Sequence, residues 1–134
     1  MTPIPVTLLT AAAAVALNTW LGSRIGQLRR EHKISVGDAG NEALLRRMRA
    51  QANFIENTPL FLILLAGLEL SGGVRWALAF LAVLFVLARI AHGFGMEGGP
   101  LGRWRTIGIM ASFLATAALA ICAVVCAVGA LLGG

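Results

Sequence analysis

Arg46-Arg47-Met48-Arg49-Ala50-Gln51-Ala52-Asn53-Phe54-Ile55-Glu56-Asn57-Thr58-Pro59-Leu60-Phe61 takes arginines, amides and a carboxylate straight into an apolar run that continues to Leu70. On a helix, offsets of three and four residues bring side chains above one another, so Arg46, Arg49, Asn53 and Glu56 share a face. Polar groups are costly inside a bilayer, and a stripe of them entering an apolar helix marks a candidate functional site. Pro59 lies within the same run, where the missing N–H leaves one carbonyl without its helical donor. Neighbouring groups must then satisfy that backbone.

The rest of the chain provides the membrane context. Of its 134 residues, 58% are hydrophobic and 13% charged, and the mean hydropathy is +0.83. Soluble domains carry about 25% charged residues, so this composition specifies an integral membrane protein. A helix needs roughly 20 mostly apolar residues to cross about 30 Å of hydrocarbon. The spacing predicts an all-α bundle of four spanning helices in a single domain, with spans near 4–21, 51–71, 74–96 and 105–132. The apolar runs are continuous, whereas a β-barrel would alternate. The first run resembles a signal peptide only superficially, because its positive charges follow the apolar stretch instead of preceding it.

Charge placement then sets the orientation. The formal net charge is +5, but the basic residues flank apolar spans and no nucleic-acid motif accompanies them. Arg24, Arg29, Arg30, Lys33, Arg46, Arg47 and Arg49 lie between the first and second spans, Arg75 alone occupies the second connection, and Arg89, Arg103 and Arg105 flank the third. The positive-inside rule places the first and third connections in the cytoplasm and both termini on the other side. Cys122 and Cys126, four apart on the last span, have the wrong geometry for a mutual disulfide and too few companions for a zinc site.

Three segments thus deliver Arg46, Arg49, Gln51, Asn53, Glu56, Arg89, His92 and Arg105 to one layer at the basic end. Arg29, Arg30, Lys33, Arg46, Arg47 and Arg103 also suit a collar that reaches lipid phosphates. Glu56 does not, because headgroups repel a carboxylate; it fits either an internal ion pair with Arg49 or Arg89, or a ligand. Several guanidiniums and one carboxylate match a small molecule with more negative than positive charge that includes an ammonium group. Glutathione is one molecule of that description, though the charge pattern alone does not single it out, and an arginine beside its thiol would raise the thiolate fraction.

The run from Arg49 to Phe61 closely resembles the second-helix signature of the MAPEG family, the membrane-associated proteins of eicosanoid and glutathione metabolism. The signature is an Arg, an Asn four later, a Glu three after that, and then a Pro. Ala88-Arg89-Ile90-Ala91-His92 is similar to the end of the family's third helix, and Arg105-Thr106 falls where prostaglandin-type members carry an Arg-Ser pair. The resemblance implies a homotrimer that binds glutathione between subunits near the cytoplasmic side. It assigns Arg49, Gln51, Asn53, Glu56, Arg89 and His92 to glutathione and Arg105 to the thiolate, with Arg24 as a further basic contact and no metal. It implies a transferase or peroxidase acting on lipophilic electrophiles taken from the membrane lipid. The chain contains no Tyr, and positions where eicosanoid enzymes place tyrosines fall on Asn57, Phe94 or Met96, and Ile109. The pattern is closest to the bacterial branch, which implies the inner membrane. The competing expectations are a non-catalytic trimer whose arginine layer holds an anionic lipid or a membrane-protein partner, and a small four-helix transporter.

Overall fold

The computed structural model describes residues 3–133, so residues 1, 2 and 134 of the expected domain lie outside the described residues. Four α-helices run in chain order: α1 (Pro5–His32), α2 (Glu42–Leu70), α3 (Arg75–Gly95) and α4 (Gly102–Leu132). All four are long and apolar enough to cross a membrane. Two helices outrun their apolar stretches: α1 continues to His32 and α2 begins at Glu42. The basic residues between the first two spans therefore ride mostly on helix rather than on loop.

Local chemistry explains where the helices start and stop. Pro5 opens α1 at a position where a missing N–H costs nothing, and Lys33 ends it in the left-handed conformation. Asn41 caps α2: its Oδ1 accepts from the Leu44 N–H at 2.9 Å. Gly72, at φ 81°, permits the tight turn into α3. A single 3-10 turn, Gly99–Leu101, follows Gly98 and leads into α4.

The core follows helical periodicity. Buried positions on α2 include Ala50, Phe54, Phe61, Leu65 and Leu68, a stripe of three- and four-residue steps. Phe61, Leu65 and Leu68 pack with Leu78, Ala82 and Phe85 of α3, Ala115 and Leu119 of α4, and Val6 of α1. The Phe61 and Phe85 rings stack with centroids 3.9 Å apart. A second cluster at the basic end joins Ala14 and Leu21 of α1 to Ala50, Phe54 and Met96.

The α3–α4 pair packs most closely, and glycine is the reason. A Cβ on Gly108 would lie 2.6 Å from the His92 backbone nitrogen, and one on Gly95 would collide with the Arg105 backbone. Only a residue without a side chain lets those backbones meet. Outward-facing Leu9, Ile63, Phe80 and Val125 are all more than 60% exposed. Such a surface would be a liability in water and is ordinary against lipid tails.

Among the described residues no side chain of its own N-terminal segment caps α1. Glu69 of α2 fills that place: its carboxylate accepts from the Val6 N–H at 3.0 Å and the Thr7 N–H at 2.9 Å. The Thr7 hydroxyl adds a third bond at 2.8 Å. A buried anion at the positive end of a helix dipole is satisfied by the unbonded N–H groups there.

Candidate functional site

Arg49, Asn53 and Glu56 rise along one face of α2 at offsets of four and three residues, with Ala52 between them. Arg105, in the first turn of α4, and Met96, just past α3, complete the lining. The groove between them measures about 260 Å³. Arg49, Glu56 and Arg105 are exposed there. Among the described residues Glu56 forms no ion pair, and the pairings with Arg49 or Arg89 that its position allowed are not made. Two guanidiniums and one carboxylate thus face a common space without protein partners.

Arg89 sits behind this groove and does not line it. It is 4% exposed. Its Nη2 donates to Asn53 Oδ1 at 2.7 Å and to the Asn53 carbonyl at 3.1 Å, and its Nη1 donates to Ser112 Oγ at 3.1 Å. Ser112 Oγ in turn donates to the Gly108 carbonyl at 2.7 Å. A buried cation held by dipoles needs every one of those acceptors. Arg89 therefore fixes the rotamer of Asn53, which does face the groove. Past Asn53 a second hollow, of about 250 Å³, runs between α2 and α4 over Asn57, Arg89, Ile109 and Ser112.

His92 is buried one helical turn along from Arg89, and among the described residues neither ring nitrogen has a hydrogen-bond partner. It lies against the α3–α4 crossing instead of in the groove. Gln51 takes another direction altogether: its Nε2 donates to Asn18 Oδ1 of α1 at 3.1 Å. Of the seven residues assigned from sequence, the structure brings Arg49, Asn53, Glu56 and Arg105 together at the groove. Arg89 and His92 stand behind it, and Gln51 lies on the α1 side.

Pro59 leaves α2 uninterrupted. Side chains bond to carbonyls in the turn before it: Asn57 Nδ2 donates to the Asn53 carbonyl at 2.7 Å and Thr58 Oγ1 to that of Phe54 at 2.6 Å. The backbone carrying Asn53 is thus held by Arg89 from α3 and by Asn57 from its own helix.

Sequence reasoning missed one charged cluster at the same end. Glu97, just past α3, receives Arg24 of α1 and both Nε (2.9 Å) and Nη2 (3.2 Å) of Arg47 of α2. Arg24 also reaches the Gly93 carbonyl at 3.2 Å and stacks 4.6 Å over the Trp20 ring. Arg47 had the look of a headgroup-seeking collar residue, yet it is half-buried and bidentate. The available signal was scarcity: the chain has six acidic residues against eleven basic ones, and Glu97 is the acid next to the third basic cluster.

An all-α integral membrane fold of four long apolar helices, with an arginine- and carboxylate-lined groove at its basic end, defines the class. The model of the MAPEG family matches residues 7–125, and the chain belongs to that family. No curated protein matches the chain.

Proposed function

We propose that this protein is a glutathione-dependent transferase or peroxidase acting on lipophilic electrophiles that reach it from the bilayer. The observation that carries this reading is the convergence of Arg49, Glu56 and Arg105, none of them in an ion pair among the described residues, on one groove. Glutathione has two carboxylates and one ammonium group, and two guanidiniums with one carboxylate complement that charge set. Family membership supports the same ligand. Bound glutathione would supply the sulfur nucleophile.

The chain's own residues do the rest. Arg49 holds a carboxylate by its planar fork, Glu56 accepts from the ammonium, and Asn53, pinned by Arg89, offers an oriented amide. Arg105 stands across the groove and favours the thiolate by charge. No side chain of the protein need act as nucleophile. The groove opens at the protomer surface, which suits completion by a second subunit of a homotrimer. The basic end faces the cytoplasm, and both termini face away from it. The hollow between α2 and α4 shares Asn53 with the groove and carries apolar Phe85, Ile109 and Phe113 in its lining, which suits a lipophilic substrate.

Calorimetry on the purified protein tests this reading. Wild type is expected to bind glutathione in the millimolar range or tighter, and Arg49→Ala or Glu56→Gln to weaken it by at least about tenfold, the loss of one charge-assisted contact. Absence of binding at millimolar glutathione would leave the anionic-lipid or membrane-partner trimer as the better account, with exposed Arg30, Lys33 and Arg46 as its contact surface.

A further inference from the structure

We propose that Glu97 is a positioning residue for Arg105: by binding Arg24 and Arg47 together, it fixes the corner between α3 and α4 on which the first turn of α4 is seated. The proposal rests on the role given to Arg105 above. Within the corner itself the restraints are backbone bonds, from the Met96, Glu97 and Gly98 N–H groups to the His92, Phe94 and Gly95 carbonyls, and none of them reaches α1 or α2. The corner runs Gly95-Met96-Glu97-Gly98-Gly99-Pro100, and Gly98 and Gly99 both adopt positive φ, at 83° and 60°. Such a segment has high intrinsic freedom. No capping side chain bonds the start of the 3-10 turn or of α4.

Glu97 supplies the missing restraint from two directions. Arg24 ties it to α1, and Arg24 is itself braced by the Gly93 carbonyl and by the Trp20 and Phe94 rings. Arg47 ties it to α2 through two bonds, and Arg47 Nη1 also donates to the Arg24 carbonyl at 2.7 Å. One carboxylate therefore locks the corner to the helix that carries Arg49 and Glu56. Transfer to Arg105 is direct, because Gly95, two residues before Glu97, packs its Cα against the Arg105 backbone. Met96, between them, lines the groove. Releasing Glu97 lets the corner and the first turn of α4 move away from α2, which shifts Arg105 relative to the opposite wall.

A purely electrostatic role gives the opposite sign. Removing a negative charge near the groove would stabilise a thiolate and lower the thiol pKa, whereas losing the placement of Arg105 raises it. Two readouts follow for Glu97→Gln and Glu97→Asp in detergent. Amide hydrogen exchange without ligand is expected to accelerate about tenfold or more across residues 99–107 in Glu97→Gln, with α2 unchanged, and less in Glu97→Asp, which keeps the charge. The ultraviolet titration of bound glutathione should move to higher pH in Glu97→Gln and partly recover in Glu97→Asp. If Glu97→Gln fails to fold, Arg47→Gln removes the other arm and should loosen the same segment.

Unchanged exchange over 99–107 would overturn the proposal, and so would a thiol titration that stays put or moves to lower pH. Wild type that binds no glutathione would refute the function proposed above, while the exchange comparison would still decide whether Glu97 holds Arg105 in place.

Discussion

Asn53 and Arg89 work as one unit, and the distinction between them matters for any substitution at the groove. Arg89 is buried with only dipolar acceptors, and Asn53 supplies two of the three. Asn53→Ala removes the side-chain acceptor but leaves the guanidinium in place, so it is expected to destabilise the fold by about 2 kcal/mol. Arg89→Met removes the charge with its need for acceptors and fills similar volume. The double variant should therefore cost less than the sum of the singles by about 1 kcal/mol, measured by unfolding in mixed micelles. Strict additivity would show that the two side chains do not depend on each other. The pairing was hidden in the sequence because helical spacing reports which residues share a face, not which neighbouring helix that face meets. Spacing did bring Arg49, Asn53 and Glu56 together, since all three lie on one helix and need only its period.

At the scale of the helices, α1 depends on α2 for its cap. Glu69 takes three donors at the start of α1, one of them a side-chain hydroxyl. Glu69→Gln keeps the shape and loses the charge that complements the helix dipole, so a loss of about 1 kcal/mol is expected. Hydrogen exchange should accelerate at residues 6–10, while glutathione affinity stays within error, because the cap lies at the opposite end of the bundle from the groove. Equal loss of affinity would mean that α1 transmits strain along its length. Gly108 makes a comparable case for α3 and α4. A methyl group there meets the Ala88 carbonyl and the His92 backbone, and Gly108→Ala should cost about 1–3 kcal/mol by overpacking and impair the groove through Arg105. The spans were legible from the apolar run lengths, and a local cap such as Asn41 ahead of α2 is the kind of signal a sequence can carry. Glu69 is not, since a cap supplied from another helix leaves no local pattern.

The whole molecule presents one charged end and an apolar flank. Its outward residues are apolar along most of α4, where positions beyond Ile121 are largely exposed. Lipid or another subunit must cover them. Accessibility labelling of Ser35→Cys, in a background with Cys122 and Cys126 replaced, is expected to proceed only from the cytoplasmic side if the basic end lies there. Reaction from the other face would invert the proposed topology. Mass measurement in detergent should give three protomers, and a monomer that still binds glutathione would show that the groove needs no partner.

Composition, apolar run lengths and charge placement were sufficient to specify four membrane helices, because the bilayer leaves the backbone few ways to satisfy its hydrogen bonds. The second-helix signature likewise named the family, since its residues lie within one helix and their relation survives without tertiary contacts. What only the tertiary structure decided is who meets whom across helices: Glu97 with Arg24 and Arg47, Arg89 with Asn53 and Ser112, Glu69 with α1, and Gln51 turned toward Asn18. Those partners depend on helix rotation and on the close approach that Gly95 and Gly108 allow, and helical periodicity alone does not encode them.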